Sequence, residues 1–305
     1  MNTVFFVRLA LGMSLCLSAM AGEPAVETLQ KQADLGDAAA QFQLGRLYFR
    51  GDGVAKNEKL ALEWIGKSAE QQNTDAITSM GFFYSQGVIV PRDEAKAVEW
   101  FRRGADAGSP RCKLNLGLLL RQGKSIQLSN GESLRLMQEA ADAGLPEAQS
   151  YLGQLYFLGD ALLMPDYAKA EPYARKAAES GVAAAQNIMG LLTRDGIGPE
   201  AKGKDPVQAE KWFRRAAEQN DVKAQANLAH LMGVASPAST NRVEALQWLL
   251  LAKDREEPTA VKTYNEISPS LPAGMEQEAR GLCARFLVRQ AARQAAKDQQ
   301  PVQPR

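Results

Sequence analysis

His230 is the only histidine in the sequence, and Cys16, Cys112 and Cys283 are its only cysteines. General acid–base work asks for an imidazole or carboxylate held beside a partner. Zinc asks for three or four nitrogen and sulfur ligands brought together. A single imidazole and scattered thiols supply neither, and any triad or dyad that needs a second histidine is ruled out. His230 follows a recurring small residue on a helical stretch, where a partly exposed surface imidazole is expected rather than a base in a cleft. Gly51-Asp52-Gly53 and Gly196-Ile197-Gly198 are spaced like phosphate-binding loops. They follow helical rather than strand patterns, however, and no Lys-Ser/Thr opens a helix behind them, so they read as helix ends. Charge points the same way: 36 Lys+Arg against 35 Asp+Glu give no basic footprint for nucleic acid. No catalytic residue, metal or cofactor is expected.

The elements that would carry any function are set by an internal repeat. Leu44-Gly45, Met80-Gly81, Leu116-Gly117, Leu152-Gly153 and Met189-Gly190 recur at intervals of 36, 36, 36 and 37 residues, and Leu228-Ala229 follows 39 later. A small residue precedes each pair, at Ala40, Ala76, Cys112, Ala148, Ala185 and Ala224. A second ladder runs in phase through Trp64, Trp100, Leu136, Tyr173, Trp212 and Trp248. Gly36, Gly108, Gly144 and Gly181 punctuate the units, with Gln72-Asn73 and Asn220 in their place elsewhere.

Each unit reads as two helices. Ala40, Leu44, Leu47 and Tyr48 share one face of the first, which Gly51 stops; Gly87, Gly123, Gly159 and Gly196 repeat that stop. Leu60, Ala61, Trp64 and Ala69 share a face of the second. Asp93, Asp166 and Asp205-Pro206 suit the starts of second helices, and Ser109-Pro110 suits that of a first. Glycine inside a helix costs about 1 kcal/mol, so the first helices are expected to cross a neighbouring backbone or a bulky Trp or Tyr there. The Trp ladder is thus packing rather than a stack for sugars or bases, and Trp100 is expected to be buried. No such hairpin can bury its apolar face alone, so the repeats must stack.

The motif running from Gly36-Asp37-Ala38 through Ala40-Gln41, Leu44-Gly45, Leu47-Tyr48, Gly51 and Gly53-Val54 to Ala61-Leu62-Glu63-Trp64 resembles the SEL-one-like repeat (SLR) family, a relative of the tetratricopeptide repeat. Ala148-Gln149, Leu152-Gly153, Leu155-Tyr156 and Gly159 repeat it, as do Ala185-Gln186 and Asp195-Gly196-Ile197-Gly198. The departures are Ile77 and Lys113 at the Gln position and Ala229 at the Gly position. The resemblance implies an all-α fold, a right-handed α-solenoid of about six helix-turn-helix repeats with a C-terminal capping helix. It also implies a non-enzymatic scaffold that binds a protein or peptide in a concave groove. Bacterial members include assembly factors, regulators, host-interaction factors and immunity proteins that neutralise type VI secretion lipase toxins. A cysteine-rich branch, linked to penicillin binding and β-lactamase activity, bridges each repeat. Cys112 and Cys283 do not follow that pattern, and both are expected to be free.

Five segments follow from these patterns. Residues 1–21 read as a cleavable export signal: Arg8, an apolar run from Leu9 to Met20 that is short for a membrane span, and Ala19-Met20-Ala21 as the cleavage site. The expected destination is the bacterial periplasm, with secretion as the alternative, and no membrane insertion after cleavage. Residues 22–35 form a lead joined through Val26 and Leu29, and 36–253 hold the six repeats. Residues 254–298 form capping helices, the last packing through Ala279, Leu282, Cys283, Phe286 and Leu287. Residues 299–305 are expected to be a disordered tail.

In related solenoids the first helices line the concave side. The helical row offset −6, −2, +1 and +5 from the repeat glycine is therefore the candidate binding surface. An apolar strip along it (Phe82, Leu118, Tyr151, Leu158, Ile188 and Leu191) is edged by Arg46, Arg50, Arg111 and Asp195, with Gln86, Asn115 and Gln154 as polar neighbours. Aromatic and arginine anchors with a polar rim are what a protein-binding site offers. The partner's identity is not readable from these residues.

Overall fold

The structure is a computed structural model and describes residues 26–122, 130–236 and 239–298. The expected export signal with Cys16, the Gly123 stop and the expected tail lie outside the described residues. Every regular element described is helical, apart from an isolated two-residue bridge, Asp160 to Leu163. The chain divides into two compact units, one ending at Leu145 and the other starting at Pro146.

In the first unit a helical segment, α1 (26–34), leads into three hairpins. These are α2 (Ala38–Arg50) with α3 (Glu58–Glu70), α4 (Thr74–Gln86) with α5 (Glu94–Asp106), and α6 (Pro110–Gln122) with α7 (Asn130–Asp142). Each hairpin packs on the next through α3 against α4 and α5 against α6. Leu29 of α1 packs against Ala33, Ala40, Leu44 and Trp64. The helix starts are fixed by side-chain caps. Asp37, Asn57, Asn73 and Asp93 accept from the backbone N–H groups of Ala40, Leu60, Ala76 and Lys96, each worth about 1 kcal/mol. Gly51 and Gly87 end α2 and α4 in the left-handed conformation, φ 79° and 70°.

The second unit repeats the plan with α8 (Pro146–Leu158) and α9 (Tyr167–Glu179), α10 (Ala183–Asp195) and α11 (Pro206–Ala217), and α12 (Val222–Leu231) and α13 (Arg242–Lys253). Asp166, Asp205 and Asp221 cap α9, α11 and α12. After α14 (Pro258–Ile267) and a single 3-10 turn, α15 (Met275–Asp298) lies against α13 and closes the stack. Phe286 meets Trp248 edge-on at 5.3 Å between ring centroids, and Cys283 and Ala279 are buried beside it. Leu287, expected on the packed side, is instead exposed together with Val288. Those two positions have turned past the α13 seam.

The mid-helix glycines are close crossings, but the residue that meets them is not the ladder aromatic. A Cβ built on Gly45, Gly81 or Gly190 would fall 2.6 Å from Ile65, 2.5 Å from Phe101 or 2.5 Å from Phe213. Each partner is the residue after the ladder position, one helical step of about 100° further round. The ladder rings pack elsewhere, Trp64 against Ala40 and Leu44 and Trp248 against Phe286. Trp64, Trp212 and Trp248 are buried, whereas Trp100 is only half-buried, with the Arg103 guanidinium 5.2 Å from its ring centre.

The motif glutamines link repeat to repeat. The side-chain amides of Gln41, Gln186 and Gln225 donate to the carbonyls of Ala33, Ala178 and Ala217, each eight residues back at the end of the preceding helix. Gln71 and Gln219 then donate to the amide oxygens of Gln41 and Gln186. Gln225, fully buried, receives no such donor on its amide oxygen.

Candidate partner-binding surface

In the first unit the first helices of three successive repeats surround an open hollow of about 440 Å³. From α2 come Arg46 and Arg50, flanked by Phe42 and Phe49. From α4 come Asp75, Thr78, Ser79, Phe82 and Phe83, and from α6 Arg111 and Asn115. Helical spacing explains the convergence: Arg46 and Arg50 are one turn apart, and Arg111 and Asn115 repeat that spacing. The walls are aromatic. Phe49 and Phe83 lie 5.5 Å apart, Arg46 lies over the Phe42 ring at 5.6 Å, and Phe82 is 48% exposed. Beside them Thr78 and the buried Cys112 pair through oxygen and sulfur at 3.1 Å, and burial raises the Cys112 thiol pKa.

Of the sequence-predicted residues, Arg46, Arg50, Phe82, Arg111 and Asn115 therefore share one hollow. Gln86 is exposed at the end of α4, bonded to Ser85, and Leu118 is half-buried on α6; neither lines the hollow. Phe42, Phe49 and Thr78 line it without having been singled out. They occupy the row at −3 and +4 from the repeat glycine, next to the chosen one. The unusual phenylalanines at both row positions of the first repeat were the available signal.

The second unit treats the same positions differently. Tyr151 is half-buried on α8, while Gln154 and Leu158 are exposed, Leu158 to 57%. Ile188 is 5% exposed and packs with Ala174, Ala185 and Trp212, so it belongs to the core and not to a surface strip. Leu191 likewise leans on the core cluster that contains Phe213, Leu228 and Trp248. The Asn227 side-chain amide of α12 donates a hydrogen bond of 2.8 Å to the amide oxygen of Asn187 on α10. Asp195 is held by both nitrogens of the Arg194 fork at 2.8 Å, which keeps its carboxyl below the usual range. The physical reason is that α9 and α11 pack on Ile188 and the cluster of α11 to α13 packs on Leu191, and periodicity alone does not report such coverage.

His230 is exposed on α12, 3.2 Å from the Thr263 hydroxyl. Cys112 and Cys283 are buried and unbridged, and burial pushes Cys283 up to about 11. Gly51-Asp52-Gly53 and Gly196-Ile197-Gly198 follow the ends of α2 and α10. Among the described residues no group of three His, Cys, Asp or Glu side chains could hold a metal ion, and no helix is long and apolar enough to cross a membrane.

The Sel1 repeat family matches six consecutive stretches, 38–73, 74–109, 110–145, 146–182, 183–221 and 222–256. Among solved structures, a protective antigen of uropathogenic Escherichia coli displaying an SLR fold is 28% identical, with a TM-score of 0.69. The match covers 87% of this chain but 56% of the antigen, so this chain spans little more than half of that protein. A Sel1 repeat protein of Oxalobacter formigenes is 25% identical over 75% of this chain and 99% of its own, with a TM-score of 0.65. An immunity protein of Pseudomonas aeruginosa is 18% identical over 82% of this chain and 81% of its own, with a TM-score of 0.44.

Proposed function

The chain belongs to the Sel1-repeat family, and on that footing we propose that it is a non-enzymatic scaffold of the bacterial periplasm that holds a protein or peptide partner. Sel1 repeats mediate protein–protein binding, and the observation that supports this use of the present chain is the hollow of the first unit. Three arginines and an exposed phenylalanine converge there on aromatic walls. Solvent-facing helix rows ordinarily carry scattered charge, whereas arginine and aromatic side chains around a concavity are the residues that dominate binding energies. Tyr151, Gln154 and Leu158 of the second unit are proposed as further contacts, while Leu191 packs against the core.

Within that role the finer proposal is an immunity protein that neutralises a type VI secretion lipase toxin. Its support is the family's membership and the export signal read in residues 1–21. A photo-crosslinking residue placed at Phe82, with one at the exposed Glu99 of α5 as control, tests the scaffold role in the native host. Capture of a specific partner at position 82 and not at position 99 is expected. Equal yields at both would remove the assignment of the surface. Co-expression with a lipase toxin encoded alongside the chain tests the finer proposal: rescue of growth is expected, and unaltered killing would reject it.

A further inference from the structure

We infer that the hollow of the first unit takes an acidic linear segment of the partner, an apolar side chain seated among carboxylates; this rests on the binding role proposed above. The observation is a difference among arginines. Arg92, Arg102, Arg103 and Arg135 of the same unit each lie within ion-pair reach of a carboxylate, on Glu94, Glu132, Glu70 and Glu139. Arg46, Arg50 and Arg111 do not: among the described residues none of them has a carboxylate within 4 Å, and Arg46 lies over the Phe42 ring. Asp75 is the single acidic residue of the lining, so three guanidinium groups face one carboxylate.

A guanidinium left over a hollow presents a planar fork that matches a carboxylate on two donors, and it keeps its charge at any physiological pH. The aromatic walls supply the apolar half of the match. Phe82 stands open to solvent between the Arg46–Arg50 edge and the Arg111 edge, where an aromatic or aliphatic side chain flanked by Asp or Glu meets all three. The volume of about 440 Å³ suits a few side chains of an extended segment. Nucleic acid would ask for a continuous basic face, whereas the chain's charges balance at 36 to 35.

A random-peptide display library selected on the full chain tests this without knowledge of the partner. The counter-target is the variant Arg46→Gln/Arg50→Gln/Arg111→Gln, whose fold is checked by circular dichroism. The expected winners carry at least two Asp or Glu beside a Phe, Tyr, Trp or Leu. As synthetic peptides they should bind the counter-target about tenfold or more weakly, and lose a similar factor when Asn and Gln replace their acids. Raising salt until the screening length falls below the spacing of the charges should weaken them too. Winners that are neutral or basic, acidic winners indifferent to the arginine changes, or no enrichment at all would overturn the inference. Specific crosslinking at position 82 would in that case leave the scaffold role standing; absence of both would end both.

Discussion

Equivalent positions of the repeat do opposite work on α2 and α4 of the first unit and on α10 of the second. At +1 from the repeat glycine stand Arg46 and Phe82 in the first unit, both lining an open hollow, and Leu191 in the second, leaning on the core. At −2 stand Ser79, which lines the same hollow, and Ile188, which is core. The helices are alike in length and phase; what differs is coverage by neighbours. Asn187 and Asn227 tie α10 to α12, and Leu228 extends the apolar cluster on which Leu191 rests. The phase of a residue in a solenoid is thus a local property, whereas its exposure depends on helices one repeat away.

The sharpest way to break this comparison is to delete a side chain from each class. Phe213→Ala removes a fully buried ring seated on Gly190 and should destabilise by about 3–5 kcal/mol. Phe82→Ala should stay within about 0.5 kcal/mol, the range of ordinary surface changes. Urea denaturation followed by helical signal measures both, and a comparable loss at position 82 would make that ring core.

Leu191→Ala sharpens the contrast at a smaller scale. A half-buried leucine should cost about 1–2 kcal/mol, while Leu158→Ala on the exposed end of α8 should cost almost nothing. If Leu191→Ala is silent in stability, its placement with the core is wrong.

Smaller still is a repair of the glutamine links. Gln71 and Gln219 complete Gln41 and Gln186, but at the corresponding place Arg255 turns to Asn220 and leaves the buried amide oxygen of Gln225 without a donor. Arg255→Gln should supply one and stabilise by about 1 kcal/mol, since an unmet buried acceptor costs about 1–3. Destabilisation would mean that the Arg255–Asn220 bonds matter more.

The least perturbing probe is pH. Cys283 is pushed up to about 11 from an ordinary 9.0 by burial, and Cys112 is raised for the same reason. The unfolded thiols lose their protons first, so this contribution is intact below pH 9 and declines as pH climbs towards 11. At neutral pH both thiols should resist alkylation in the native protein and react fully in denaturant. Fast native labelling would show that α15 opens readily from α13 or that Cys112 is accessible.

Much of this was legible in the residues themselves. The 36-residue spacing implies hairpins, Asp93, Asp166 and Asp205 mark helix starts, and Pro258 to Pro272 mark the short helix before the cap; the structure has each. Three things were not legible. Phe101 and Phe213, not the tryptophans beside them, cover the glycines, because a shift of one residue turns a side chain by about 100°. Ile188 and Leu191 carry the same pattern as exposed residues elsewhere; Ile188 is covered by α9 and α11, and Leu191 by a cluster that reaches into the next repeat. Phe42 and Phe49 sit on the neighbouring row, which only the crossing geometry aims into the hollow.

The central claim is that the hollow of the first unit is built for a partner and not for the fold. Titrating the partner captured at position 82 against the wild-type chain and Phe82→Ala, with the denaturation midpoint of each protein recorded alongside, tests it most directly. The prediction is a loss of about 2 kcal/mol or more in binding, the usual threshold for an anchor residue, with an unchanged midpoint. Undiminished binding by a folded Phe82→Ala protein, or a midpoint that falls as far as that of Phe213→Ala, would contradict it.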